Sequence, residues 1–379
     1  MALHLQKELP DRYQEMGTLE LSRAIAARKR RLGRRLCILG HHYQRDEIIE
    51  QADFVGDSLK LAQIAARQRD TQYIVFCGVR FMAESAAILA APGQSVILPS
   101  MRGSCPMAAM ASALDIHTAM DEIGALTAER IVPIAYVNST AGTKAVVGSL
   151  GGACCTSSNA SNIFRWALDP GGGGADKILM VPDQHLGRNT AMALGYRDDA
   201  CAVYDPNLPD GGLSEADVHR ATFLLWKGHC YVHQRFTPEH VRALRRHEGD
   251  VTVMVHPECS REVVALADRT GSTEQIIRAV SEAKPGSRWA IGTESHLVKR
   301  LAARYPDRSI FCLSPAMPTC VQMQQIDLPH LLWVLDRLVE DRPENVIAVP
   351  ENLAGNARFA LSQMLGIGAN LSPRHPVAS

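Results

Sequence analysis

The chain has ten cysteines but no Cys-x-x-Cys pair. That absence excludes a zinc ribbon, a thioredoxin-like redox site and a ferredoxin-type cluster, all of which use short spacings. An excess of charge of one sign is also missing: 40 Lys and Arg balance 40 Asp and Glu. Without net charge there is no long-range field for nucleic acid or a membrane surface, so an anionic ligand must be drawn by local groups. No run approaches the ~20 apolar residues of a membrane span. The opening MALHLQKELPDRYQEMGTLE has no apolar core of signal-peptide length, and a soluble, cytoplasmic chain is expected. No Gly-x-Gly-x-x-Gly follows the first strand pattern, and GSLGGA near residue 150 has the wrong spacing for a dinucleotide.

The 379 residues allow two or three domains, and 46% hydrophobic residues are enough for several cores. In a large chain of this kind the cysteines read as thiols or metal ligands rather than a disulfide framework. About seven of the ten are expected to be small buried apolar residues. The runs LCILGHHY (36–43), YIVFCGV (73–79), SVILPS (95–100), IVPIAYVN (131–138), ACCTS (153–157), KILMVPD (177–183), VTVMVHPE (251–258), RWAIGTE (288–294) and SIFCL (309–313) read as strands. Helix patterns such as SLKLAQIAARQ and TEQIIRAVSEA lie between many of them. Such βαβ alternation, with strands apolar on both faces, predicts parallel sheets covered by helices on both sides. Residues 1–35 read as a leading helical extension with a basic end, and Gly171 to Gly174 as a loop.

A threefold internal repeat carries more information. His41 and Tyr43 close the first strand of the first third, Tyr136 and Asn138 that of the second, His256 and Glu258 that of the last. Each i, i+2 pair is expected on one face of its strand. A small hydroxyl residue expected to open a helix follows each pair: Ser58, Ser157 and Thr273. A cysteine comes later in each third: Cys105, Cys230 and Cys320. His41 to Ser58 and His256 to Thr273 are both 17 positions; Ser58 to Cys105 and Thr273 to Cys320 are both 47. The middle third is expanded, to 21 and 73. The fold class expected is therefore α/β, with three pseudo-threefold-related αβα domains, each a three-layer unit on a parallel sheet, around a central active site at the carboxyl ends of the strands. The expected segments are 1–35, 36–125, 126–245, 246–345 and a tail, 346–379, that packs back on the body.

Three thiolates meeting on such an axis could hold three corners of a cubane cluster, leaving one iron with an open position and a Lewis-acid role. Taken singly, each cysteine reads more readily as core; the repeat raises the odds. Helix openings at Ser58, Ser157 and Thr273 would favour anions, although a plain N-cap is the commoner use of such residues. His41, Tyr43, His256 and Glu258 are able to transfer protons, Tyr136 and Asn138 to donate hydrogen bonds, and His233, three residues after Cys230, is a further acid–base candidate.

At these residues the sequence resembles quinolinate synthase, the iron–sulfur enzyme family of NAD biosynthesis. The matching stretches are HHYQRDEI, ADFVGDSLKLA, VFCGVRFMAES, GSCPMA, AYVNSTA, CCTSSNA, WKGHCYVH, HPECSREV, ADRTGST, IGTE and TCVQM, in order from about residue 40 to 325, with LAGNARFALSQMLGI beyond. The resemblance implies three stacked αβα domains and a [4Fe–4S] cluster on Cys105, Cys230 and Cys320. It implies condensation of iminoaspartate (iminosuccinate) with dihydroxyacetone phosphate to quinolinate, phosphate and water, without redox change at the cluster. His41, Ser58, Tyr136, Asn138, Ser157, His256, Glu258 and Thr273 would line the substrate pocket. Glu258 would be a general base, with Tyr43, His41, His256 and His233 in proton transfer. Implied partners are the two small-molecule substrates, transient contact with L-aspartate oxidase or aspartate dehydrogenase, and iron–sulfur assembly proteins, with no nucleic acid and no membrane. Ser314 and Met317 stand where some members carry two further cysteines, so a regulatory disulfide is not expected there. Cys154, Cys155 and Cys259 lie near pocket motifs but are not expected to be ligands. Rival readings are a nicotinamide-dependent enzyme, a zinc hydrolase using His41, His42, His256 and Glu258, and a non-catalytic iron–sulfur sensor.

Overall fold

Short apolar runs flanked by turn formers become strands, and every ladder is parallel. The structure is a computed structural model that describes residues 7–369. Residues 1–6 of the expected extension and 370–379 of the expected tail lie outside the described residues. The strands are β1 Leu36–His41, β2 Phe54–Gly56, β3 Tyr73–Cys77, β4 Ser95–Ile97, β5 Ile131–Tyr136, β6 Ala153–Cys155, β7 Lys177–Val181, β8 Cys201–Tyr204, β9 Phe223–Trp226, β10 Thr252–Val255, β11 Arg269–Thr270, β12 Arg288–Gly292 and β13 Ser309–Cys312.

They form three sheets among the described residues, ordered β2-β1-β3-β4, β6-β5-β7-β9-β8 and β11-β10-β12-β13. The first and last have the same order. The middle sheet keeps that order and adds β8 at its edge. This extra strand, together with the helix Glu215–Arg220 that follows it, accounts for the longer interval from Ser157 to Cys230. The shorter expansion, between Asn138 and Ser157, is a longer helix. Ala141–Ser149 stands where the other thirds have Asp46–Ile49 and Arg261–Leu266.

The chain is α/β with parallel sheets flanked by helices, as expected, and the sheets do not close into a barrel. Successive β10 side chains show the layering directly. Val253 and Val255 enter one core with Ala290 of β12, Val241 and Val263. Met254 enters the other with Trp289 and Ile291 of β12, Ile276 and Leu297. Period-two alternation thus feeds two apolar layers, the requirement for a parallel sheet sandwiched by helices.

By internal contacts the chain divides into two compact units. One runs to Pro106 and resumes over Cys230–Val349; the other takes Met107–His229 and residues from Pro350 onward. The first unit holds the first and third sheets. Its leading helix Thr18–Leu32 buries Leu21, Ile25 and Leu32 and packs on helix Leu328–Val339, where Arg28 Nε meets Asp336 Oδ1 at 2.6 Å. The second unit holds the five-stranded sheet. Helix Glu351–Ala369 packs there on helix Ala141–Ser149, on β6 and on helix Ala160–Leu168. The crossing is so close that a Cβ at Gly148 would stand 2.0 Å from the Asn356 carbonyl oxygen. No helix among the described residues is long and apolar enough to cross a membrane.

Two local expectations are corrected. The i, i+2 pairs do not share a strand face: β1 ends at His41, β5 at Tyr136 and β10 at Val255, so the second member of each pair lies in the loop beyond. Of the hydroxyl residues, Ser58 and Thr273 open their helices as expected, as first helical residues and not as N-caps, and Ser157 does not. Asp57 is the N-cap of helix Ser58–Arg67, accepting from Lys60 N, and Ser272 caps helix Thr273–Ser281 in a capping box with Gln275. Ser157 opens no helix; it lies in the turn before helix Ala160–Leu168. An N-cap carboxylate already offsets the N-terminal dipole at Ser58, which weakens the expected anion preference there.

Candidate active site

The loops after β1 and β10 share one device. Tyr43 N donates to His41 Nδ1 at 3.1 Å, and Glu258 N donates to His256 Nδ1 at 3.3 Å. A backbone N–H two residues on, accepted by Nδ1, folds the chain back so that both side chains of each pair meet. It also assigns the remaining ring proton to Nε2. Arg300 fixes the first loop, donating to the carbonyls of His42 (2.9 Å) and Gln44 (2.5 Å). His42 Nε2 in turn meets Glu274 Oε1 at 2.9 Å, and this contact, with Lys60, holds the Glu274 carboxyl down to about 2.

Around Glu258 the geometry is tight. Its Oε2 is 2.9 Å from His233 Nδ1 and 3.1 Å from His256 Nδ1, and the two imidazoles stack with centroids 4.3 Å apart. All three residues are buried. Burial alone would raise the Glu258 carboxyl, but the two imidazoles outweigh it and hold it below the usual carboxylate range. Burial pushes His256 down, and His41 to about 3, so both rings are neutral at neutral pH.

Tyr43 Oη lies 2.8 Å from Thr293 Oγ1 and accepts from Thr273 Oγ1 at 3.2 Å; Thr293 Oγ1 also meets His233 Nε2 at 3.1 Å. A continuous buried network therefore runs from Glu258 through His233 and Thr293 to Tyr43 and Thr273. Burial, reinforced by Glu258, pushes the phenol well above its ordinary value. The site thus holds an ionised carboxylate, the neutral rings of His41 and His256 and a protonated phenol, which is what stepwise proton transfer needs.

The three expected ligand cysteines, with Cys312, are the half-buried ones; the other six thiols are buried, and none of the ten is in a disulfide. Cys312 packs against both cores of the third sheet. Two side chains tie the ligand loops together. Gln322, with its amide oriented to satisfy its neighbours, donates to the Ser104 and Arg102 carbonyls beside Cys105 at 2.8 and 3.2 Å. Tyr231 Oη donates to Cys320 Sγ at 3.6 Å and accepts from Val321 N at 2.9 Å. The Cys320 N–H, in turn, is accepted by buried Glu294 at 3.3 Å. Burial, Glu258, Cys105 and Cys320 all push the Cys230 thiol up. Three thiols in one electrostatic neighbourhood, with Cys105 and Cys320 both acting on Cys230, form a donor set that a cationic iron–sulfur group would complete. The residues fit that group.

The first unit thus brings together His41, Tyr43, His233, His256, Glu258 and Thr273 beside the thiols, with Ser58 at the start of its helix. Tyr136, Asn138 and Ser157 belong to the second unit. There Tyr136 ends β5 in register with Cys155 of β6, and Asn138 Oδ1 is buried with no hydrogen-bond partner. Cys154, Cys155 and Cys259 are fully buried; burial raises Cys154 to about 12 and Cys155 well above its ordinary value. Thr293, Glu294, Tyr231 and Gln322 were not singled out from the sequence. The signal available was that Thr293 directly follows β12, as the recognised residues follow β1, β5 and β10.

The model of the quinolinate synthetase A protein family matches residues 23–366. A quinolinate synthase of Bacillus velezensis is 48% identical over 357 residues, 94% of this chain and 96% of its own. That of Geobacillus kaustophilus is 48% identical over 361 residues (95% and 97%), and that of Bacillus subtilis strain 168 is 45% identical over 359 residues (95% and 96%).

Proposed function

The chain belongs to the quinolinate synthetase A family of enzymes, and on that premise we propose that it condenses iminoaspartate (iminosuccinate) with dihydroxyacetone phosphate to quinolinate, phosphate and water in NAD biosynthesis. The observation that carries the reading is the tying of the three cysteine loops by Gln322 and Tyr231 beside the Glu258 network. Cys105, Cys230 and Cys320 would hold a [4Fe–4S] cluster, which when bound would supply an iron free of protein ligands as a Lewis acid.

The chain's own groups divide the rest of the work. Neutral His256, whose Nδ1 accepts from Glu258 N, presents its Nε2 proton to a substrate oxygen, with the Glu258 carboxylate 3.1 Å from Nδ1. Glu258, held ionised beside His233 and His256, is the general base of this reading. Tyr43, protonated and oriented by Thr273 and Thr293, gives a proton to an oxygen that must leave. His233 connects the two halves through Thr293, and His41, neutral and edge-on to Tyr43 with centroids 4.8 Å apart, shapes the pocket. Ser58, Tyr136, Asn138, Ser157 and Thr273 offer donors to carboxylate and phosphate oxygens. The five segment boundaries expected from the sequence, a cytoplasmic location, supply of iminoaspartate by L-aspartate oxidase or aspartate dehydrogenase, and loading by iron–sulfur assembly proteins belong to the same proposal.

The test is anaerobic. Protein carrying about four iron and four sulfide per chain should form quinolinate from the two substrates. Fully loaded protein that makes none would overturn the reading.

A further inference from the structure

We propose that Lys144 is a positioning residue of this enzyme: its buried amine fixes the loop after β5 that carries Tyr136 and Asn138. The inference rests on the reading above, in which those two residues offer donors to substrate. Burying a lysine is costly unless its donors are used, and Lys144 is fully buried in helix Ala141–Ser149. Its Nζ donates to the Ser139 carbonyl. Its charge also opposes the rise that burial imposes on the Cys154 thiol, so the amine reaches from its helix to the end of the sheet where β5 and β6 pair.

The need for it arises from the residue types. In the loops after β1 and β10, a histidine Nδ1 accepts the N–H two residues on. Tyr136 stands at that place in the middle loop and has no ring nitrogen to do so. Hydrogen bonds from side chains close the turn instead. Ser139 Oγ donates to the Tyr136 carbonyl at 2.7 Å, and Lys144 takes the Ser139 carbonyl behind it. Backbone bonds complete the frame: Val137 N to Cys155 O at 2.8 Å, and Lys144 N to Thr140 O at 3.1 Å. Asn138, whose Oδ1 is buried with no hydrogen-bond partner, sits in the middle of this frame. The first loop offers a parallel. Gln44 lies three positions after His41, as Ser139 lies three after Tyr136, and its carbonyl is held by Arg300 at 2.5 Å. A long basic side chain thus holds the same carbonyl in two repeats. In one it comes from helix Ser295–Arg304 of the last third, in the other from the helix that the loop itself opens.

The experiment compares loaded, full-length protein with Lys144→Met, Asn138→Ala and the double variant, all prepared anaerobically. Lys144→Met removes the donor but keeps the length of the side chain. It should retain iron and sulfide and raise KM for at least one substrate about tenfold, with kcat within about threefold of the parent. In the Asn138→Ala background it should add little, since it acts through that residue. Hydrogen exchange read by mass spectrometry should be about tenfold faster over residues 136–140, and unchanged over 41–44 and 256–259. A parent-like KM in loaded Lys144→Met, KM effects that multiply in the double variant, or exchange raised equally in all three loops would overturn the proposal. Should Lys144→Met fail to fold, Ser139→Ala, which removes the bond to the Tyr136 carbonyl in the same frame, carries the test: KM should rise, and a parent-like KM would again overturn it. Absence of quinolinate from the loaded parent would sink the reading of the reaction, whereas parent-like exchange over 136–140 in Lys144→Met would sink this inference alone.

Discussion

The loops after β1 and β10 are alike in backbone and opposite in chemistry. Each turns on an N–H donated to Nδ1 of the histidine two residues earlier. In the first, the residue so placed is Tyr43, which burial keeps protonated. In the third, it is Glu258, which two imidazoles keep ionised despite burial. A repeated scaffold thus sets position, while the immediate partners set proton state, so equivalent places in two repeats hold a protonated phenol and an ionised carboxylate.

The comparison can be broken at several levels. The largest effect is expected at the cysteine loops: Cys105→Ser or Cys320→Ser should each abolish iron–sulfur content and turnover, measured by anaerobic iron and sulfide analysis beside the quinolinate assay. Retained cluster in either variant would remove that thiol from the ligand set. Next, Glu258→Gln keeps the shape but not the charge and should lower kcat at least ~100-fold with iron content intact; a near-normal kcat would show that the third loop supplies no base function. Thr293→Val removes the hydroxyl between Tyr43 and His233 and should cost about tenfold in kcat, with a changed pH profile as the sign that proton transfer is affected. An unaltered profile would make Thr293 a packing residue.

The smallest effect is on stability. His41 is held to about 3 from an ordinary 6.5. Since the unfolded chain protonates more readily, the contribution is complete above about pH 6.5 and is lost as pH falls toward 3. His41→Asn keeps an acceptor for the Tyr43 N–H without a titrating ring. It should flatten the loss of denaturant stability across that window, and a parent-like slope would show that the acid sensitivity arises elsewhere.

Much of this was legible because long apolar strands announce themselves. Every run read as a strand contains one, each ending before its run does. Among the strands not foreseen, β2 is three residues with an exposed Phe54, and β11 is only Arg269–Thr270, both exposed. Edge strands this short owe their form to the neighbouring ladder, not to their own pattern. The β9 sequence FLLW is wholly buried and carried a readable signal that went unused. Repeat spacing and resemblance named His41, Tyr43, His233, His256, Glu258 and Thr273, which the structure brings together in the first unit. Thr293, Tyr231 and Gln322 were not named, because each acts through contact with residues far away in sequence: 250 positions from Tyr43, 89 from Cys320 and more than 200 from Ser104. The N-caps Asp57 and Ser272 displaced Ser58 and Thr273 by a single position, a distinction that composition near a helix start does not resolve.

Neither compact unit is continuous in sequence, and this matters on the ribosome. The first sheet is complete once Ile97 has emerged, yet its unit must wait for residues 230–349. Meanwhile Cys105 is translated 125 codons ahead of Cys230 and 215 ahead of Cys320. The second unit waits longer still, for helix Glu351–Ala369. On the proposed ligand set, metal loading would be a late event in biogenesis, and for most of synthesis the first thiol stands alone, dependent on the reducing state of its surroundings.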